Sequence, residues 1–383
     1  MLRSAESSGY PQYGYYLAEV SAPNPMITKW GGDLPIWYRN KLRLWIPETM
    51  PNFESTLPGL YMGIRCSWYT HADPQRIVDS LFAGVYGAAA RMMAAYWRGI
   101  DSAWSATPEH AGNVFAYGKI FAPEVMRAAR GRMDSALAAC ATPMEYRRVK
   151  LADDSFREFE LLMRMRRDLF EGRWTNLENE GRQWQNTWDV LAEEYKPYAC
   201  FSSFAKRYFN RFQYGAYQDA ARIAAGYRIL GRPQKEWKYQ VDSARGTPPD
   251  FSAVDLQDSA WAKTDPCVDT WSDLGLGEYY GRVWYRAVAR MPVVSAGKKM
   301  YIWIGSTDGS CSLFINGRHV PYANAAGDTA TVFSGYCIPA SYDITAYARP
   351  GTINRIAICA TRLGLNELGG GGLNGPVGFY CEK

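Results

Sequence analysis

The stretch EYYGRVWYRAVARMP, residues 278–292, has the pattern of one long β-strand that ends at a proline. Because successive strand residues point to opposite faces, its side chains divide into an apolar set, Val283, Tyr285, Ala287 and Ala289, and a second set, Arg282, Trp284, Arg286, Val288 and Arg290. The second face places three arginines around one tryptophan, which allows a guanidinium group to stack on the indole. We interpret this strand as a packing element and expect any ligand contact in its domain to come from loops.

The residues on either side of this strand predict an antiparallel β-sandwich or jelly roll over residues 236–383. Turn signals recur at short intervals, among them STDGS (306–310) and ARPGT (348–352). Asn316 and Gly317 form the dipeptide that favours a tight hairpin. Short strands separated in this way are typical of a sandwich.

Residues 74–232 predict helices. Asp73 and Pro74 form an N-cap and first-turn pair, and Ile77, Leu81 and Val85 follow at a spacing of four. In a later helix, the residues with a 3–4 spacing form a predicted core stripe, and the charged residues between them are expected to face solvent. That stripe comprises Val149, Ala152, Phe156, Phe159, Met163 and Phe170.

The pattern of residues 1–73 predicts a βα protein, in which strands and helices alternate. YGYYLAEV (13–20), LRLWIPET (42–49) and GLYMGIRCSW (59–68) are short apolar runs that predict strands, and DLPIWYRN (33–40) predicts a short helix. Continuous apolar strands suit a parallel sheet buried on both faces. Three strands cannot close a barrel, so either another chain or a preceding part of a longer protein would complete the sheet.

Composition excludes several function classes. The net charge of +5 over 383 residues, without a basic run longer than RMRR (164–167), argues against nucleic-acid binding. No apolar run is long enough for a membrane span, and residues 1–20 lack the apolar core of an export signal, which leaves localisation unassigned. Three His and eight singly placed Cys predict no metal site and no cofactor. The even number of Cys is compatible with disulfide bonds but does not require them.

Two resemblances account for most of the chain. GRVWYR (281–286), FINGRHV (314–320) and YDIT (342–345) look like the galactose-binding-like jelly roll of β-galactosidase-type hydrolases. YMGIRCSWYTHADP (61–74), with the helices that follow it, is similar to the end of the DUF4838 family. Members of that family are predicted glycoside-hydrolase-like TIM barrels, resemble α-glucuronidases, and often contain helical and sandwich modules.

The resemblances imply a C-terminal portion of a glycoside hydrolase whose full-length form is secreted or periplasmic. Its expected parts are a partial βα-barrel remnant (1–73), an α-helical domain (74–232) and a β-sandwich jelly roll (236–383). The expected partner is an oligo- or polysaccharide, with neither nucleic acid nor a membrane. A missing N-terminal segment or a homo-oligomer would complete the barrel. The alternative function is that of a non-catalytic carbohydrate-binding or scaffold protein.

Glycoside hydrolysis generally needs two carboxyl groups, about 5 Å apart for retention or roughly 6.5–9.5 Å apart for inversion, and barrel enzymes place them at strand ends. Glu48, at the end of LRLWIPE, is the first candidate, as a general base or as an acceptor for a sugar hydroxyl. Glu19 is the second. The alternative for Glu48 is an ordinary strand-end carboxylate bonded to a loop.

Polar and aromatic residues at the predicted strand ends are the candidates for a sugar subsite, because aromatic rings stack on sugar faces while polar atoms bind hydroxyls. SWYTHADP (67–74) is the densest cluster. For Asp73 the alternative role is the helix N-cap, and for Trp68 it is a core side chain. The candidates are Trp45, Trp68, Tyr69, His71 and Asp73.

Overall fold

The computed structural model describes residues 22–41, 53–107, 117–198, 200–212, 214–242, 250–324, 326–335, 338–363 and 370–383. The chain forms two compact units. The first comprises Met1–Met163 and Gln183–Phe209, and the second comprises Arg164–Arg182 and Asn210–Lys383. Within the described residues, the first unit contains helices and no strand, whereas the second contains the strands.

Helices are the main elements of the described residues up to 226. Helices α7, α8 and α9 include residues of both units. The bounds are α1 Ile27–Arg39, α2 Phe53–Trp68, α3 Pro74–Tyr86, α4 Ala90–Ala106, α5 Tyr117–Ile120, α6 Pro123–Ala139, α7 Pro143–Glu171, α8 Leu177–Glu194, α9 Ser203–Phe212 and α10 Gly215–Gly226.

A carboxylate from another helix caps the start of α1. The Asp101 side chain, buried on α4, accepts the backbone N–H groups of Ile27 at 2.8 Å and Thr28 at 3.0 Å. The first N–H groups of a helix have no partner within the helix, so this interaction satisfies two of them and fixes α1 against α4. The prediction of a helix at residues 33–40 is confirmed as the second half of α1.

The prediction of a strand at residues 59–68 is wrong, because these residues form the second half of α2. Buried positions at Gly59, Met62, Gly63 and Cys66 follow helical spacing. A Cβ atom at Gly59 would lie 2.1 Å from the carbonyl oxygen of Pro25, so a glycine is needed where the two segments meet. A short apolar run does not by itself distinguish a strand from a buried helix.

The other two predicted strands, at 13–20 and 42–49, lie outside the described residues. The barrel remnant at residues 1–73 therefore has no described strand and stays a prediction.

Two helical predictions are refined. In α3 the buried residues are Val78, Leu81, Phe82 and Tyr86, so the buried face is rotated from the predicted one. In α7 the stripe from Val149 to Phe159 is buried, whereas Met163 and Phe170 are half-buried. The expectation that the intervening charges face solvent is wrong for several of them, which are buried: Asp153, Asp154, Glu158, Arg166 and Asp168.

The second unit contains two main antiparallel sheets. The smaller has the strand order β1-β15-β5-β12, and the larger has the order β11-β7-β13-β4-β2-β3, with β8 paired to β7. Two further ladders join β9 to β10 and β6 to β14. The bounds are β1 Tyr227–Gly231, β2 Trp237–Asp242, β3 Ala262–Thr264, β4 Gly281–Arg290, β5 Met300–Ile304, β6 Thr307–Asp308, β7 Ser310–Ile315, β8 Arg318–Val320, β9 Tyr322–Ala323, β10 Thr329–Ala330, β11 Phe333–Ser334, β12 Ala340–Asp343, β13 Ile353–Arg362, β14 Gly372–Leu373 and β15 Val377–Glu382.

One apolar core contains side chains from both sheets. Val283 and Tyr285 of β4 belong to it together with Ile302 of β5 and Phe379 of β15. The predicted alternation in β4 is confirmed, since residues 283, 285, 287 and 289 are buried. Trp271 donates its indole N–H to the Tyr285 hydroxyl at 2.7 Å, which satisfies both polar groups within the core. The jelly-roll topology stays a prediction.

Candidate functional site

A depression of about 520 Å³ lies at the turn between α2 and α3 in the first unit. Aromatic, basic and hydroxyl side chains surround it, a composition that suits a sugar ring with its hydroxyl groups. Its lining residues are Arg65, Trp68, Tyr69, Thr70, His71, Ala72 and Ile77.

The end of α2 and the start of α3 position these side chains. The N–H of Tyr69 bonds to the Arg65 carbonyl at 2.8 Å and the N–H of Ala72 bonds to the Tyr69 carbonyl at 2.9 Å, which closes the turn. Trp68 is the last residue of α2 and its side chain is 81% exposed. Its alternative assignment as a core residue is therefore wrong.

Ring contacts orient two of the polar groups. The guanidinium carbon of Arg65 lies 4.7 Å from the centre of the Tyr69 ring, and the His71 ring meets the Tyr38 ring edge to face with 6.4 Å between centroids. Sequence reasoning missed Arg65 because it placed residues 59–68 in a strand, where residues four apart are separated by about 13 Å. In a helix they are neighbours on one face.

Asp73 acts as the N-cap of α3, as its alternative role predicted. Its carboxylate accepts the backbone N–H of Gln75 at 2.9 Å, and Arg76 lies 3.8 Å away. Among the described residues that line the depression there is no Asp or Glu. Burial, with Asp73 nearby, raises the pKa of the neighbouring Cys66 thiol, so this group is protonated and not nucleophilic at neutral pH.

The depression unites Trp68, Tyr69 and His71, with Asp73 adjacent in the chain. The remaining predicted site residues, Trp45, Glu19 and Glu48, lie outside the described residues, so their roles stay predictions.

The second unit contains another cavity, of about 240 Å³, that sequence reasoning did not identify. Arg232 and Cys267 line it. The Nη2 group of Arg232 donates a hydrogen bond to the Cys267 sulfur, with 3.0 Å between the nitrogen and the sulfur. Burial raises the pKa of this thiol to about 11 despite the guanidinium. The thiol is therefore un-ionised at neutral pH, and its contact with Arg232 indicates packing rather than reactivity.

In the part of the chain that the structure describes, no group of three or more His, Cys, Asp or Glu side chains is placed to hold a metal ion. The described helices likewise include none that is both long and apolar enough to cross a membrane.

Comparison with known proteins finds similarity to β-glucuronidases. No family model matches the chain. A β-glucuronidase of Formosa agariphila is 29% identical over 136 residues, which cover 32% of this chain and 12% of the relative. This chain therefore spans about an eighth of the length of that relative.

Among solved structures, a β-glucuronidase of Bacteroides uniformis is 20% identical over 40% of this chain and 18% of that protein, with a TM-score of 0.31. A β-glycosidase of Bacteroides vulgatus is 22% identical over 40% of this chain and 20% of that protein, with a TM-score of 0.30.

Proposed function

We propose that this chain is a carbohydrate-active protein, the C-terminal portion of a glycoside hydrolase that acts on oligo- or polysaccharides. The observation that carries the proposal is its 29% identity over 136 residues to a β-glucuronidase. The proposed architecture is a barrel remnant, a helical region and a galactose-binding-like jelly roll. Two antiparallel sheets that share one core support the last of these parts.

The depression between α2 and α3 is the proposed contact site for the saccharide. Trp68 presents an indole that no neighbour covers over most of its surface. An indole face packs against the C–H face of a pyranose, and Arg65, Thr70 and His71 supply hydrogen-bonding groups around it. The site has both elements that sugar recognition requires, an apolar plane and a polar rim.

In the catalytic version of the proposal, Glu48 is the general base or the carboxylate that holds a sugar hydroxyl, and Glu19 is the second candidate. Glu48→Gln should then abolish turnover of aryl glycosides while the circular dichroism spectrum and unfolding midpoint remain unchanged. Unchanged turnover in this variant would exclude the assigned role.

The second candidate function is non-catalytic carbohydrate binding. The observation that favours it is that no Asp or Glu is among the described residues lining the depression, whereas hydrolysis needs a pair of carboxyl groups. In this version the chain binds a glycan and turns over none.

Calorimetric titration with a panel of oligosaccharides, including glucuronate-containing ones, tests both versions. Trp68→Ala should remove the binding heat that arises at the depression, and its unfolding free energy should change by less than about 0.5 kcal/mol because the side chain is exposed. Tyr198→Ala removes an aromatic side chain that is 66% exposed elsewhere on the first unit, and it serves as the matched control. Absence of both binding and turnover across the panel would overturn the proposed function.

A further inference from the structure

A row of aromatic side chains crosses the outer face of the larger sheet, opposite its core face. Adjacent ring centroids are 5.5 Å apart for Trp261 and Phe251, 5.9 Å for Phe251 and Trp284, and 5.4 Å for Trp284 and Phe314. His319 continues the row at 5.2 Å from Phe314. All five side chains are partly exposed. We refer to these residues as the aromatic row.

Small residues on the central strand make the row continuous. In β13, Cys359 lies opposite Trp284 of β4 and Ala357 lies opposite Phe314 of β7. Because neither small side chain fills the space above β13, the two large rings lean together from the flanking strands. The result is an unbroken apolar surface across three strands.

Basic side chains accompany the row, and they outnumber the carboxylates that face them. Arg286 is 4% exposed; it donates to the Asp258 carboxylate at 3.0 Å and to the carbonyl oxygens of Phe251 at 2.6 Å and Ala253 at 3.0 Å. Lys238 donates to the same Asp258 carboxylate at 2.7 Å. The Asp258 carboxylate thus accepts hydrogen bonds from two cationic side chains.

Two further arginines have no acidic partner within the described residues. Arg355 lies opposite Val288 on the same face, next to Arg286, and its guanidinium has no hydrogen bond or ion pair there. Arg290 donates only to the backbone carbonyl of Gly351, at 2.8 Å. Unpaired guanidinium groups beside partly exposed rings leave positive charge that a bound anion would neutralise.

We propose that this face binds an acidic oligosaccharide, which replaces the expectation that ligand contacts in this domain come only from loops. The aromatic row packs against the C–H faces of successive pyranose rings, and Arg355 and Arg290 bind the carboxylate or sulfate groups of the sugars. The guanidinium fork matches the two oxygens of such a group and gives a charge-assisted contact. The inference rests on the proposed function and adds to it a second contact site, on the outer face of the larger sheet, with its class of ligand.

Calorimetry with one charged and one uncharged tetrasaccharide tests whether binding requires negative charge on the sugar. Tetragalacturonate should bind the whole chain, with an affinity that decreases at least fivefold between 50 and 300 mM NaCl because salt screens the contacts, and cellotetraose should bind at least tenfold more weakly. Equal affinities for the two probes would overturn the inference but leave the proposed function intact. Absence of binding of both probes, together with absence of binding and turnover of every other glycan in the panel, would overturn both proposals.

Variants locate the site. Arg355→Gln should weaken tetragalacturonate binding by on the order of tenfold and reduce its salt dependence. Arg228→Gln removes an exposed arginine from β1, in the other sheet, where it contacts only the Cys381 sulfur at 3.4 Å in the described structure, and it should bind as the unaltered chain does. Trp284→Phe, which retains a ring against Phe314, should weaken binding of the acidic sugar without unfolding the sheet.

Two results would contradict the inference directly. Equal losses in the Arg355 and Arg228 variants would mean that general charge, and not this face, determines binding. A tetraglutamate peptide that bound as tightly as tetragalacturonate would assign the face to an acidic protein segment, because a peptide does not offer the pyranose face that the aromatic row requires.

Discussion

The carboxylate of Glu54, in the first turn of α2, accepts the backbone N–H of Phe201 at 3.0 Å, although 147 positions separate the two residues in the chain. Phe201 has a φ of 51°, in the left-handed region that non-glycine residues rarely adopt. The hydrogen bond therefore holds a strained backbone in place just before α9. The Glu54 side chain is 3% exposed, and burial raises its pKa from 4.5 to about 7.

This raised pKa makes the stability of the chain depend on pH. The folded state holds the Glu54 proton more tightly than the unfolded state, so the group favours folding fully below pH 4.5 and that contribution is lost as the pH rises through 7. Glu54→Gln cannot ionise and retains an oxygen for the Phe201 N–H. Relative to the variant, the unaltered chain should lose roughly 2–3 kcal/mol of unfolding free energy between pH 5 and pH 8.

Urea unfolding at four pH values between 5 and 8 measures this difference. Glu178→Gln is the control, since the Glu178 side chain is 63% exposed, and it should follow the unaltered chain at every pH. Parallel pH profiles for the unaltered chain and Glu54→Gln would contradict the assignment of a buried, raised pKa to Glu54.

Arg130 provides a second test, because two aspartates of different burial contact the same guanidinium. Its Nη1 bonds to Asp153, whose side chain is 2% exposed, and lies 3.4 Å from Asp134, whose side chain is 57% exposed. Asp153→Ala should lower the unfolding free energy by about 2 kcal/mol, because it removes a buried charge-assisted contact while Glu160 stays bonded to the guanidinium at 2.7 Å. Asp134→Ala should lower it by less than about 0.5 kcal/mol. Equal effects in denaturant titrations would contradict this difference in burial.

The features that sequence predicted correctly depend on local geometry. The alternation in β4 follows from the two-residue period of a strand, and the N-cap at Asp73 follows from the bond between its side chain and an N–H group two residues later. The buried charges of α7 were not predictable in this way. Asp153 accepts from Arg157, one turn later in α7, and also from Arg130, 23 positions earlier on a different helix. No periodicity within α7 encodes the second partner.

The candidate site was predictable only in part, for a related reason. SWYTHADP stands out by its composition, and five of its residues, 68–72, line one depression. The strand predicted for 59–68 is wrong, because this apolar run fits both a strand and a helix with one buried face. The close approach of Gly59 to the Pro25 carbonyl is a tertiary contact that no local pattern encodes. Arg65 therefore became recognisable as a site residue only once the helix was known.

The buried Arg286 should stabilise the second unit through the shape of its side chain as well as its charge. Its guanidinium bonds to one carboxylate and two backbone carbonyls of the segment 250–258. Lysine keeps the charge but cannot make all three contacts. Arg286→Lys should therefore lower the unfolding free energy by about 2 kcal/mol and accelerate chymotrypsin cleavage after Phe251.

The control for this variant lies on the same face of the same strand. Arg282 is 56% exposed and 3.8 Å from Asp242, so Arg282→Lys should change the unfolding free energy by less than about 0.5 kcal/mol and leave the cleavage rate unchanged. If both lysine variants were cleaved at the rate of the unaltered chain, Arg286 would not be holding the segment 250–258 on the sheet.

Gly309 and Gly297 separate two causes of glycine dependence. Both have a positive φ, 93° at Gly309 and 80° at Gly297, so alanine at either costs about 1 kcal/mol in backbone strain. A Cβ at Gly309 would lie 2.2 Å from the carbonyl oxygen of Thr361, whereas one at Gly297 meets nothing within 4 Å. Thr361 cannot shift freely, because β13 is hydrogen-bonded to β4 on one side and to β7 on the other.

Gly309→Ala should therefore lower the unfolding free energy by about 3 kcal/mol and Gly297→Ala by only about 1 kcal/mol. Coincident urea midpoints for the two variants would show that backbone strain alone determines the cost and that the close approach of Gly309 to β13 does not contribute.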